Sequence, residues 1–169
     1  KKFSYQCQLT AKQSQLYGSF SIANREPVRS DFISAPENRL PRHETLYNTE
    51  LGARLATARA SFNVNAYLMR YRDQLVHTGK LNDVGASIRT NADESYRAGI
   101  EAQALVNISS KFVLNANVTL SRNKIKEFSE VLYDYGPDFD EYNEIVRTFK
   151  DTDIAFSPSV IAGSGLTYR

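Results

Sequence analysis

The chain has no tryptophan, one cysteine, one methionine and two histidines in 169 residues. The lone thiol, Cys7, cannot close an internal disulfide, and two imidazoles with one thiol cannot assemble a zinc cluster. The redox compartment stays open on this count. Long apolar runs are missing too: nothing approaches the roughly 18 to 20 residues of a spanning helix, and no basic, apolar and small-residue leader precedes Phe3-Ser4-Tyr5. A helical anchor and a targeting segment are accordingly not expected. Charge of one sign is also scarce, because 21 basic and 19 acidic residues are interspersed and leave a net charge of +2. That balance gives no reason to expect nucleic acid as a partner. What remains, 41% hydrophobic and 24% charged with 8 Gly and 5 Pro, suits one ordered domain and excludes disordered or collagen-like chains.

What is present is alternation. Leu16, Gly18, Phe20 and Ile22 oppose Tyr17, Ser19, Ser21 and Ala23, the period of a strand between two different environments. Phe3, Tyr5, Cys7 and Leu9 repeat it, as do Tyr47, Leu51, Ala53 and Leu55, then Phe62, Val64, Ala66 and Leu68. Ala98 to Ile108, Phe112 to Leu120, and a last set from Ile154 and Phe156 to Tyr168 complete about seven strands. The apolar faces carry no charge, and the opposite faces are rich in Asn, Ser, Gln, Thr and Gly. A helix would place apolar residues at i, i+3, i+4 and i+7, which the stretch 100–107 contradicts.

Several of these strands sustain alternation for roughly 10 to 14 residues, the length that crosses a bilayer at a tilt. Short connections at Ala11 to Ser14, Thr57-Ala58 and Ser109-Ser110 alternate with long polar ones over 24–44, 74–95 and 125–152. An all-β, antiparallel up-and-down transmembrane β-barrel segment predicts both features, and Tyr71, Tyr96, Phe112 and Tyr168 fit an interfacial girdle. A soluble β-sandwich or barrel also alternates, but three long loops and Asn-rich faces suit it less well. Pro158 inside a strand pattern implies that regular pairing begins just after it, or that a bulge occurs there.

Six segments carry a resemblance: SFSIANREPVRSD (19–31), ETLYNTELGARL (44–55), FNVNAYLMRYRDQLV (62–76), RTNADESYRAGIEAQA (89–104), LNANVTLSRNKIKEF (114–128) and IAFSPSVIAGSGLTYR (154–169). Together they resemble the C-terminal half of the barrel of TonB-dependent outer-membrane receptors, particularly the Bacteroidetes-like form. The resemblance implies a bacterial outer-membrane receptor that imports a scarce solute, such as an iron chelate, cobalamin or an oligosaccharide, through a plugged barrel. Outer-membrane lipid, the receptor's own plug, the rest of the barrel and an inner-membrane energy-coupling protein are the implied partners, with no cofactor and no enzymatic activity. Large plugged barrels have 22 strands, so about seven strands over 1–169 make a partial barrel domain, and a whole one would need roughly 530 residues. Plug, coupling peptide and final strands are expected to lie outside the chain. An isolated sheet of this kind would expose its edges and an apolar face, and would aggregate or need detergent. A soluble all-β ligand-binding module and a passive outer-membrane porin are the competing readings.

Candidate substrate contacts come from the long loops. Arg25, Arg29, Arg39 and Arg42, with Glu26, Asp31 and His43, make 24–44 lean basic, which suits an anionic ligand or a plain solvated rim. Tyr133, Tyr135 and Tyr142 lie among Asp134, Asp138, Asp140, Glu141 and Glu144, where rings would stack on a sugar or chelate. The acidic spacing is not that of a calcium loop, so no metal is expected. On the polar strand face Glu50, Arg54, Arg97 and Glu101 are candidates for cross-strand ion pairs, lumen-wall support or plug contact. No nucleophile, base and orienting group can be assembled from neighbouring positions, so no catalytic residue is assigned.

Overall fold

The computed structural model describes residues 3–168 except 12, 36–39, 83, 135 and 139–142; of the side chains of 3–11, 79, 80, 130, 131, 133 and 144 nothing is described. One antiparallel sheet runs through β1 (Phe3–Ala11), β2 (Ser14–Arg25), β3 (Glu44–Ala56), β4 (Ala60–Leu81), β5 (Ser87–Asn107), β6 (Phe112–Asp134), β7 (Asn143–Asp153) and β8 (Val160–Tyr168). Neighbours in sequence are neighbours in space up to β7, and β8 also pairs with β6. β7 lies along the far part of β6 and β8 along the near part, so eight strand segments fill seven places. This is an up-and-down wall, as the alternation implies.

Register keeps the two faces separate from strand to strand. Leu16 pairs with Ala53, Ala53 with Val64, Val64 with Ala102, Ala102 with Val118, and Val118 with Ala162. The next parity joins Gly52, Asn65, Glu101 and Thr119. A one-residue slip anywhere would exchange the faces, so each apolar face pins the register of its neighbours. The apolar face has no cover among the described residues: Leu51 is 64% exposed, Ile100 53% and Leu120 55%. Its limits run obliquely to the pairing rows. Leu16 is the last apolar residue of β2 toward the short turns, whereas β6 continues three rows further, through Ala116 and Leu114 to Phe112. Toward the long connections charge begins at Arg122 on β6, level with Phe20, which on β2 is still apolar. A band of constant height across tilted strands produces this stagger.

Several expectations need correction. The stretches 74–95 and 125–152 are not loops but β-hairpins: β4 reaches Leu81 before a turn to Ser87, and β6 reaches Asp134 before β7 returns from Asn143. Consecutive residues are buried in these extensions, Gln74, Leu75 and Val76 on β4 and Asn91 and Ala92 on β5, which removes the alternation that marks a strand in sequence. The 24–44 connection is largely irregular, but holds a short helix α1, Arg29–Ile33. The last strand begins at Val160, not Ile154, and Ile154 is buried with Val76, Ala92 and Ile125 while Phe156 is 93% exposed. Tyr71 is not a girdle residue, since it pairs with Leu46 and Ser95 on the polar parity. Phe112 and Tyr168 do share the apolar face, their ring centroids 5.2 Å apart.

Candidate functional site

Pairing with β6 is interrupted where the sequence carries Pro158. Three residues of β6, 121–123, face six residues, 154–159, between the pairs Lys124–Asp153 and Leu120–Val160. The surplus chain is fastened to the polar face of β6. Ser121 donates from its N–H to the Ser159 carbonyl at 2.7 Å and from its hydroxyl to the Pro158 carbonyl at 3.1 Å. The Ile154 N–H donates to the Asn123 carbonyl at 3.1 Å, and the Asn123 amide donates to the Ser157 carbonyl at 3.4 Å. Phe156 sits at φ 57°, a conformation that costs a non-glycine residue about 1–2 kcal/mol, and its ring meets His77 edge-on at 6.1 Å.

Under this bulge lies a cavity of about 570 Å³ whose walls include Arg25, Glu44, Tyr71, Arg97, Phe156 and Ser157. Arg97 donates to the Ser157 hydroxyl at 2.6 Å, joining β5 to a residue 60 positions later. Glu44 accepts from the Leu75 N–H at 3.1 Å and stands 3.5 Å from the Arg25 guanidinium. Buried Ser95 donates to the side-chain carbonyl of Gln74, which lines the cavity. Arg25 and Glu44 therefore neutralise each other, whereas Arg97 has no carboxylate partner among the described residues and rests on a neutral hydroxyl.

The remaining candidates fall elsewhere. Arg42 lies within 2.6 Å of Asp73 and 3.0 Å of Asp93, and its backbone exchanges hydrogen bonds with the Asn91 side chain. Asn91 also donates to the Asp73 carbonyl, so Arg42 and Asn91 brace the left-handed backbone of Asp73, at φ 55°. Arg29 opens α1 and is exposed. Arg39, Tyr135 and Tyr142 lie outside the described residues, and Tyr133 is placed only by its backbone in β6.

Glu50, Arg54, Arg97 and Glu101 do not pair with one another. Glu50 faces Tyr67 and Arg54 faces Asn63, so β4 separates the charges of β3 from those of β5. Glu50 accepts from the Asn48 amide at 2.6 Å, and Arg54 lines a shallow recess with Gln15, Tyr17 and Asn63. Sequence reasoning missed Arg89, which grips Asp31 through two hydrogen bonds of 2.8 Å. Asp31 is 4% exposed and also accepts from the Val28 N–H, so one carboxylate both caps α1 and anchors the 24–44 connection to β5. No local signal links residues 58 apart. Pro158 was the one local sign of the bulge.

The model of the TonB-dependent receptor-like β-barrel family matches residues 3–169. No curated protein matches the chain in sequence. Among solved structures, the copper transporter OprC is similar with a TM-score of 0.70 and 16% identity, over 99% of this chain and 24% of that one. The siderophore receptor PirA from Pseudomonas aeruginosa is similar with a TM-score of 0.61 and 13% identity, over 98% of this chain and 35% of that one. The chain thus spans a quarter to a third of the proteins it resembles in fold.

Proposed function

This chain belongs to the TonB-dependent receptor-like β-barrel family, and from that premise we propose that it is one section of the wall of a plugged barrel that imports an anionic chelate. The family is one of outer-membrane receptors and transporters, so the apolar face meets lipid and the polar face the lumen. Dimensions agree: Phe112 to Leu120 at about 3.3 Å per residue and a tilt near 40° rises roughly 20 Å, close to the apolar band of such barrels. Residues 1–169 form a partial barrel domain in this reading, and the plug, the closing strands and the energy-coupling segment belong to the longer protein. An inner-membrane coupling protein is the expected partner.

The observation that carries the substrate class is Arg97, the cation of the lumenal cavity with no carboxylate partner among the described residues. A guanidinium held by a neutral hydroxyl keeps donors for a carboxylate, catecholate or phosphate group of a chelate. A neutral oligosaccharide would use the same donors less fully, and cobalamin would rely more on aromatic surface. Wall and plug support are the roles proposed for Glu50, Arg54 and Glu101, and rim contacts for Arg29, Arg39, Tyr133, Tyr135 and Tyr142. Arg25 and Arg42 position the wall through their ion pairs. No catalytic role is proposed.

The native outer-membrane product carrying this sequence is expected to be several times 19.1 kDa and to begin with a coupling peptide and plug. Uptake of its solute should stop when a protonophore collapses the energy supply. A product near 19.1 kDa, or uptake indifferent to the protonophore, would replace the receptor with a small or passive porin. Arg97→Gln should weaken chelate binding by about tenfold, the value of one charge-assisted hydrogen bond.

A further inference from the structure

Toward the short turns, the polar face of the sheet is floored by glycines over which neighbouring side chains lie flat. Tyr17 of β2 lies across Gly52 of β3, and its hydroxyl donates to the Asn65 side-chain carbonyl of β4 at 3.3 Å, two strands away. On β8, a Cβ at Gly163 or Gly165 would come 2.9 or 2.7 Å from the side-chain oxygen of Asn117 or Asn115, the residues they pair with. Groups that would otherwise stand up into the lumen are laid against the wall.

One ion stands on this floor. Between the row of Gly52, Asn65, Glu101 and Thr119 and the short turns, the polar face of β2 to β6 and β8 holds no aspartate or glutamate, and Arg54 is its one charge among the described residues. Arg54 borders a recess of about 380 Å³ whose walls include the neutral amides of Asn63, Gln103, Asn115 and Asn117. It has no carboxylate partner among the described residues. Gln103, in the same pairing row, follows Arg97 on β5 by roughly 20 Å of strand. Glu50 and Glu101 lie in the rows between the two arginines and repel an anion, so the two cations make separate stations and not one basin. At the turns beyond, the Arg59 and Lys111 N–H groups donate to the Thr57 and Ser109 hydroxyls at 3.3 and 3.2 Å, which fixes two more cations at the rim.

A permanent contact gains from upright side chains that interlock with a partner, and this floor withdraws them. Passage instead needs sites that bind strongly enough to be entered and weakly enough to be left. A solvated guanidinium among neutral amides has that character, because its donors suit an anion while no second charge holds it there. We propose that Arg54 and these amides form a second anion site, where a carboxylate, catecholate or phosphate group of the chelate rests after leaving the Arg97 cavity and before reaching the cations of the turns. The site rests on the chelate reading given above, and it adds a role to the wall support of Arg54.

The test uses cells carrying the native full-length protein, with a ferric tris-catecholate containing radioactive iron as the probe. Binding is measured with the energy supply collapsed, and uptake with it restored at saturating probe. Arg54→Gln should leave binding unchanged and slow uptake about tenfold, as the loss of one charge-assisted hydrogen bond implies. Gly163→Ala combined with Gly165→Ala should push the two asparagines upright at little folding cost, because the displaced atoms are side-chain ends, and should slow uptake severalfold. Heat-modified migration in gels verifies that each variant is a folded barrel. Uptake at the wild-type rate in either variant would overturn the second site. Slow uptake accompanied by entry of a large glycopeptide antibiotic would overturn it in favour of a plug contact. Arg97→Gln separates this inference from the reading beneath it. If the native protein does not bind the probe, or binds it equally after Arg97→Gln, the chelate reading itself fails; weakened binding there with wild-type uptake in Arg54→Gln sinks the second site alone.

Discussion

The strands have two halves with different rules. Between the short turns and the end of the apolar band, at Phe20 on β2 and Leu120 on β6, the ladder is unbroken, and the described non-glycine residues there all keep φ negative. Beyond it lie all three positive-φ exceptions, Asp73, Asp151 and Phe156, together with the register shift between His77 and Leu81. The half beyond the band also holds the buried cluster of Val76, Ala92, Ile125 and Ile154, and the ion pairs Arg25–Glu44, Arg42–Asp73 and Arg89–Asp31. Hydrocarbon offers no partner to a freed N–H or carbonyl, so a lipid-facing ladder cannot bend out of register. Water and polar side chains can satisfy those groups, as the Asn91 amide does by donating to the Asp73 carbonyl. Irregular backbone, and with it the candidate lumenal site, is therefore confined to the half that lipid does not touch.

The largest expected effect sharpens the contrast from the watery side. Arg89→Met leaves the Asp31 carboxylate buried without its partner, which should cost about 3–5 kcal/mol. Because that half is held by side chains and not by an obligatory ladder, the loss should appear as fast hydrogen exchange at residues 28–34 with β5 amides in the band unchanged. Exchange rising equally throughout would show that the two halves unfold as one.

An arginine placed in the band addresses the other side. Ile100→Arg should cost roughly 2–4 kcal/mol in vesicle-supported denaturant unfolding, whereas Val146→Arg on the exposed β7 should stay within about 0.5 kcal/mol. Equal costs would break the comparison. Gly99→Ala is the next in size. Its Cβ would come 2.7 Å from the Leu120 carbonyl, which is backbone, as well as 2.6 Å from the Tyr67 hydroxyl. A loss of about 1–3 kcal/mol is expected by the same unfolding measurement, and a neutral outcome would mean that the lumen wall relaxes as easily as the hairpins. The smallest effect has the opposite sign. Phe156→Gly removes left-handed strain from an exposed ring and should stabilise the protein by about 1 kcal/mol, while loosening the bulge enough to weaken solute binding. Unchanged solute affinity would separate the bulge from the site.

The regular half was legible from residues 3–168 because each strand there separates two solvents, and a period of two is the direct record of that. Tyr47, Leu51 and Leu55, or Phe112, Val118 and Leu120, announce strand, face and length together. The hairpins over 74–95 and 125–152 read as loops because their buried residues fall on both parities, Gln74, Leu75 and Val76 in succession, so Gln74-Leu75-Val76-His77 carries no alternation to recognise. Of the candidate site, Arg97 was found from its polar-face position and the bulge was signalled by Pro158. Ser157 and Tyr71 were missed: one depends on the three extra residues opposite β6, the other on which side of a girdle row a tyrosine falls.

Composition and periodicity alone determined the all-β class, the two faces and the apolar band, since each is set by the solvent a side chain meets one residue at a time. Tertiary structure decided where the ladder breaks, that Arg89 closes on Asp31, that Arg42 braces Asp73 and that Arg97 reaches Ser157. Those contacts join residues 31 to 60 apart whose meeting depends on the accumulated register of the intervening strands, a quantity no local window of sequence contains.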